Sequence, residues 1–288
     1  MGSPLRVAAL VSVPVLAGLL ALAAWNPRGD HWKSVEPPKA QCEAYDAAKL
    51  RTHATLTPDI YDQQKLDRLI REPQNTISNL PYATAGLAIL LAGRRPASRA
   101  LGLAAVFLGC GSGMYHASLL PEWRMVDILG VYAVLYLVLL LGVSSGSGRW
   151  AHGWRGWILA LVVWVLAIYT GIHRNDIRWF GLKIFDSTYV FVAAVALGWV
   201  LVFRAFRRVT DCRTYFRALG VLALTGSISF AGGLGDRFHG FWANPEFVVQ
   251  GHAVWHTCGA IALLAIYELF AAAGHDRSAF ATVSNAAT

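Results

Sequence analysis

Residues 98–127 read SRALGLAAVFLGCGSGMYHASLLPEWRMVD, and this stretch decides the class of fold. From Ser98 to Leu120 it is apolar over a length that can cross a bilayer, for which about 20 residues are needed. Ser112 and His116 lie near the end of that run, four residues apart, so a helix sets them on one face one turn apart. Pro121 breaks the helix, and Asp127 is expected in the first turn of the next apolar segment. Ionisable groups at membrane depth are costly and mark function. A matching pair, His252 and His256 in HAVWH, opens the last apolar run. Two helices that meet would bring three imidazoles to one point, which is a metal site.

The rest of the chain has the composition of a membrane protein. Of 288 residues 56% are hydrophobic and 15% charged, with a mean hydropathy of +0.45. Soluble domains carry about 25% charged residues. The net charge of +8 is not gathered into a nucleic-acid-binding patch. Its basic residues sit in short loops between apolar runs, as they do where they orient a membrane protein. The expected fold is all-α: a polytopic membrane bundle of seven spans at 75–93, 98–120, 125–145, 155–173, 185–204, 214–233 and 249–272, preceded by one extra apolar span at 6–25. Four cysteines, Cys42, Cys110, Cys212 and Cys258, show no C-x-x-C spacing, and no disulfide is expected.

Four regions follow. Residues 1–25 are a membrane anchor or, on the competing reading, a cleaved signal segment. Residues 26–74 are an extramembrane linker with eight basic and eight acidic residues, including a short amphipathic stretch at Gln64–Arg71. Residues 75–272 are the seven-span bundle, and 273–288 a short tail. Arg94, Arg95 and Arg99, then Arg149 and Arg155, then Arg204, Arg207, Arg208 and Arg213 fall in alternate loops, with Arg6 and Arg277 on the same side. That side is expected to be cytoplasmic, the C-terminus with it. The linker then faces the outside or lumen, and His116, Asp127, His252 and His256 all fall near the outer or luminal leaflet.

Three neutral imidazoles leave one tetrahedral position open, as catalytic zinc sites do. Water bound there would have its pKa lowered to about 7. Asp127 could move its proton, or instead fix a histidine tautomer. Ser112 could donate to the oxyanion of a tetrahedral intermediate, or, between Gly111 and Gly113, permit close helix packing. Such a set would cleave an amide or ester whose chains lie in the bilayer. The competing account is that these residues bond helix to helix.

At these positions the chain resembles the alkaline ceramidases, part of a superfamily of seven-span hydrolases that includes the adiponectin and progestin receptors. The resemblance rests on Ser112-x-x-x-His116, Asp127 eleven residues on, His252-x-x-x-His256, the segment Arg71-Glu72-Pro73-Gln74-Asn75-Thr76-Ile77-Ser78-Asn79, and Asp236-Arg237-Phe238-His239. It covers about residues 59–272. It implies zinc on His116, His252 and His256, catalytic roles for Ser112 and Asp127, and hydrolysis of the ceramide amide to a sphingoid base and a fatty acid. It also implies calcium on an N-terminal acidic cluster, for which Asp59, Asp62 and Glu72 have roughly the right spacing, although Gln63 stands where a glutamate is expected. The partners expected are a ceramide substrate and the bilayer, with no nucleic acid and no obligate protein.

A lipid esterase on the same scaffold, a seven-span receptor with a structural zinc site, and a proton channel are the rivals. The short basic loops and small tail argue against a receptor, and the clustering of charge at one end argues against a channel. Trp123, Trp150, Trp154, Trp157, Trp179 and Trp242 are expected to anchor span ends. Asp236 and His239 are either partners of the site or loop residues. Glu268 is expected to snorkel or to bond a neighbour.

Overall fold

The structure, a computed structural model, describes residues 4–25, 69–70, 72–144, 153–173, 177–179, 182–185, 187–237 and 251–275. In chain order these form α1 (Pro4–Trp25), α2 (Pro73–Ser78), α3 (Leu80–Ala92), α4 (Pro96–Ser118), α5 (Pro121–Ser144), α6 (Gly153–Ile172), the strands β1 (Ile177–Trp179) and β2 (Leu182–Phe185), α7 (Ser187–Phe206), α8 (Cys212–Arg237) and α9 (Gly251–Phe270). A π-helical turn, Ala271–His275, follows α9. β1 and β2 pair as one antiparallel hairpin; the described chain is otherwise helical, in agreement with the expected class.

Among the described residues four helices are long and apolar enough to cross a membrane: Pro96–Ser118, Glu122–Ser144, Gly153–Ile172 and Gly251–Ala272. Shorter apolar helices cover Ser12–Trp25 and Ala193–Phe206. The outward faces of α6, α7 and α8 are apolar: Leu161 is 62% exposed, Phe203 65% and Leu224 62%. Surface of that kind is stable against hydrocarbon and not against water. Trp154 and Trp157, near the start of α6, are also exposed. Trp150, Trp179 and Trp242 are not among the residues whose side chains are described.

Two boundaries differ from expectation, each for a local reason. The span 75–93 is two helices, α2 and α3, broken at Asn79. Pro81 has no N–H to give the Ile77 carbonyl, and its ring would clash there. The span expected to start at 125 starts at Pro121, so Asp127 lies in the second turn of α5 and not the first. α4 closes with Leu119 in a left-handed conformation, φ 55°, its N–H bonded to the Tyr115 carbonyl. Proline suits the first helical turn, whose N–H groups have no intrahelical acceptor, and the new helix begins at once. Of the amphipathic stretch 64–71, Leu69 and Ile70 are described and form a bend; the remainder lies outside the described residues.

Backbone-to-backbone contact fixes the centre of the bundle. A Cβ on Gly86 would lie 2.6 Å from the Gly102 carbonyl oxygen, and one on Gly102 would lie 2.6 Å from the Leu90 nitrogen. Small residues allow this approach, which is how helices gain contact where the hydrophobic effect offers little. α4 meets α5 where Gly111 receives Val126 and where Gly130 receives Leu108. At the other end of the bundle Leu137, Leu141, Leu201, Leu269 and Phe270 pack together, and Arg217 of α8 bonds Glu268 of α9 at 2.7 Å. Glu268 thus bonds a neighbour. α1 packs on α3, its Ser12 hydroxyl 2.6 Å from that of Thr84. A cavity of about 560 Å³ remains between α1 and α2–α4, lined by Leu19, Leu22, Leu80, Ala83, Val106 and Met114 among others. The described cysteines, Cys110, Cys212 and Cys258, are free thiols.

Candidate metal centre

α4 and α9 bring His116, His252 and His256 together. One ligand atom from each lies within 4.8 Å of the other two. Ring centroids are 4.4 Å apart for His252 and His256, 5.0 Å for His116 and His252, and 5.1 Å for His116 and His256. His252 and His256 share a face of α9 through their four-residue spacing. His116 reaches them from the last turn of α4, where it is 1% exposed. A tetrahedral zinc at about 2.05 Å from each nitrogen sets them roughly 3.4 Å apart. Shifts on the order of 1 Å by side chains at helix ends would close the difference.

Each of two imidazoles is held through one nitrogen. His116 Nδ1 lies 2.5 Å from Glu72 Oε2, both side chains being buried. The same carboxylate oxygen accepts from Asn75 Nδ2 at 3.0 Å, and the Glu72 backbone N–H donates to the His116 carbonyl at 3.0 Å. An N–H on Nδ1 that donates to a carboxylate leaves Nε2 with its lone pair for a metal, the usual arrangement behind a metal-binding histidine. His256 Nδ1 lies 3.0 Å from Ser78 Oγ and 3.1 Å from Asn79 Nδ2. The Ser78 hydroxyl donates to the Asn75 carbonyl, so its oxygen is available to accept from His256 Nδ1–H. The donor chemistry therefore fits a metal: neutral imidazoles, two of them oriented by groups that fix the tautomer.

Glu72 was expected in an acidic calcium cluster and is found on His116. Asp59 and Asp62 lie outside the described residues, as does His239; Asp236 lies in the last turn of α8 with its side chain undescribed. Glu72's contact, and those of Ser78 and Asn79, are features that the reading of the chain missed. Their signal was present: Asn75, Ser78 and Asn79 recur at three- and four-residue intervals on one face, at the mouth of an apolar span.

Ser112 is 1% exposed, one turn from His116 on α4. Its hydroxyl has no hydrogen-bond partner among the described residues. Other hydroxyls in these helices bond back to their own carbonyls four residues earlier: Thr84 to Leu80, Ser118 to Met114, Thr170 to Leu166, Thr225 to Val221 and Thr257 to Ala253. That is the usual outcome for a hydroxyl inside a helix. Ser112 does not take it. Gly113, which could have served close packing, would accept a Cβ at ordinary contact distance, 3.6 Å from the Thr76 oxygen; Gly111 alone is pressed, its Cβ position 2.6 Å from Val126 Cγ1. This contact joins α4 and α5 at the residues that precede Ser112 and Asp127. Asp127 is half-buried there.

Three histidines that could hold a metal ion, on helices apolar enough for a bilayer, fit the class of membrane proteins with a metal-binding site. The particular family follows from comparison with known proteins. The family model described as Ceramidase matches residues 65–279, and the chain belongs to the ceramidase family. No curated protein and no solved structure matches it. Membership makes the chain a hydrolase of lipid amides, with ceramide as the substrate class. The match begins at residue 65 and leaves α1 outside it.

Proposed function

We propose that this protein is an intramembrane zinc-dependent amidase that hydrolyses ceramide to a sphingoid base and a free fatty acid. The observation that supports it most is the convergence of His116, His252 and His256, with two imidazoles oriented by Glu72 and Ser78. A bound zinc would polarise the amide carbonyl and make water nucleophilic at neutral pH. Asp127 accepts a proton from the attacking water and delivers it to the leaving nitrogen as the C–N bond breaks. Ser112 donates its otherwise unused hydroxyl to the carbonyl oxygen as charge develops there. The bundle surrounds this polar cluster, and a lipid enters sideways with its chains in hydrocarbon.

The proposal includes the architecture: seven spans within 75–272, an extra N-terminal span at 1–25, a linker over 26–74, and a tail over 273–288. The arginine-bearing loops and the C-terminus face the cytoplasm. α4 ends and α9 begins at the opposite side, which sets the centre in the outer or luminal leaflet. Calcium on Asp59, Asp62 and Glu72 would brace the carboxylate that holds His116; activity unchanged by a chelator that takes calcium and spares zinc removes that part.

The decisive experiment uses detergent-purified protein, with bound zinc quantified beside fatty-acid release from ceramide. Zinc near one per chain is expected, with release lost in His116→Ala and Asp127→Ala and zinc lost in the first alone. Zinc without turnover on any ceramide would shift the assignment to a lipid esterase, and failure on esters to a receptor. Full activity without zinc defeats the proposal outright.

A further inference from the structure

Tyr82 lies one turn further along α3 than Asn79, the residue that touches His256. Gly259 lies one turn further along α9 than His256 itself, on the same face as His252 and His256. The two meet. A Cβ on Gly259 would stand 2.1 Å from the Tyr82 hydroxyl oxygen and 3.1 Å from Cζ, so any larger residue there would displace the phenol. The Tyr82 hydroxyl therefore occupies the layer of the bundle next to the three-histidine centre, on its inner side. Asp127 and Cys258 are near enough to act on it electrostatically. A phenol hydroxyl at membrane depth is costly unless it is hydrogen-bonded, and a phenylalanine would fill the same volume without that demand.

Ceramide is an N-acylated long-chain amino diol. With its amide at the histidine centre and its long base directed into the bilayer, the hydroxyl on the chain side lies four bonds from the scissile carbonyl carbon. That separation is on the order of one helical turn, ~5.4 Å, which is the offset between the His256 and Gly259 layers. We infer that Tyr82 is a specificity-determining residue whose hydroxyl hydrogen-bonds the chain-side hydroxyl of the sphingoid base, and that residue 259 is glycine to admit it. The inference rests on the proposed ceramide hydrolysis at this centre.

The test compares full-length, zinc-loaded wild type with Tyr82→Phe on two substrates: ceramide, and the analogue lacking the chain-side hydroxyl. The expected result is a loss of roughly 10-fold in kcat/KM on ceramide, carried mainly by KM, with no loss on the analogue. Zinc content equal to wild type establishes that the variant is folded. Equal losses on both substrates, or no loss on either, overturn the inference. Gly259→Ala, which drives a methyl into the phenol, is the second variant and should abolish the same discrimination; discrimination intact in that variant also overturns it. Wild type that carries zinc and cleaves neither substrate would instead remove the ceramide reading beneath it.

Discussion

Replacing Glu72 by glutamine tests the centre at its most informative contact. In the native protein His116 Nδ1 and Glu72 Oε2 are 2.5 Å apart, with side chains 1% and 8% exposed. A charge-assisted hydrogen bond out of water is roughly twice as strong as a neutral one. It also keeps the proton on Nδ1, and so the lone pair on Nε2. Glutamine preserves the shape and can still accept through its amide oxygen, so the fold should hold; what disappears is the charge. Loss of such a partner costs about 10–100-fold in metal affinity or activity, equivalent to roughly 1.4–2.7 kcal/mol. The assay is competition for zinc between the purified protein and a chromophoric chelator, run beside fatty-acid release at limiting and at saturating zinc. Glu72→Gln should bind zinc more weakly by that factor, with much of its turnover recovered at saturation. Glu72→Ala, which also leaves His116 without its acceptor, should be worse. If zinc affinity were unchanged in both variants, Glu72 would not orient the metal ligand, and the assignment of His116 Nε2 as ligating atom would fall with it.

Ser112→Ala should reduce kcat by about 10²–10³-fold, the usual consequence of losing an oxyanion donor. Because the hydroxyl is buried without a partner among the described residues, thermal stability in detergent should hold or rise; a stability loss with full activity would refute the role. Ser78→Ala removes the oxygen that receives His256 Nδ1 and should weaken zinc binding by less than Glu72→Gln, since the lost bond is neutral; an equal or larger effect in the chelator assay would contradict this ordering. Gly102→Val puts a branched side chain where even a Cβ meets the Leu90 nitrogen at 2.6 Å. A cost of about 3 kcal/mol or more is expected for such overpacking against backbone, read as a lower unfolding temperature or loss of monodisperse protein. Stripping zinc with a strong chelator should abolish release reversibly, with activity restored by zinc and not by calcium.

The three histidines were legible because their chemistry repeats a geometric signature. Two polar residues four apart at the end of an apolar run are conspicuous, and the loop arginines placed both pairs at the same end of the bundle. Helix existence followed from apolar length alone. What escaped depended on a single residue's backbone chemistry or on partners far apart in the chain. Pro81 divides a span whose hydropathy reads as continuous. Leu119 takes a left-handed conformation that lets Pro121 start a helix at once, moving Asp127 by a turn. Glu72 and His116 are 44 residues apart, and Arg217 and Glu268 are 51 apart; no local pattern announces either pair. Glu72, in a polar linker next to a proline, read as a calcium ligand beside Asp59 and Asp62 and not as the partner of a histidine.

The break at Pro81 has a consequence for the centre. α2 is six residues long, started by Pro73 and divided from α3 before Pro81. A continuous span would have carried residues 72–79 straight along the axis of α3. The turn at Asn79 instead lets the segment be aimed on its own, and it contacts both helices of the centre. Glu72, its N-cap, holds His116 of α4 by side chain and backbone. Ser78, at its other end, accepts from His256 of α9, with Asn79 in contact beside it. Two ligands from helices distant in sequence are therefore oriented by one short element. That element is in turn tied to α4 through α3, by the glycine seam at Gly86 and Gly102. Positional error between the two imidazoles then depends on α2 and this seam rather than on the long loops between α4 and α9. A helix too short to be stable alone is used here because its ends, and not its length, do the positioning.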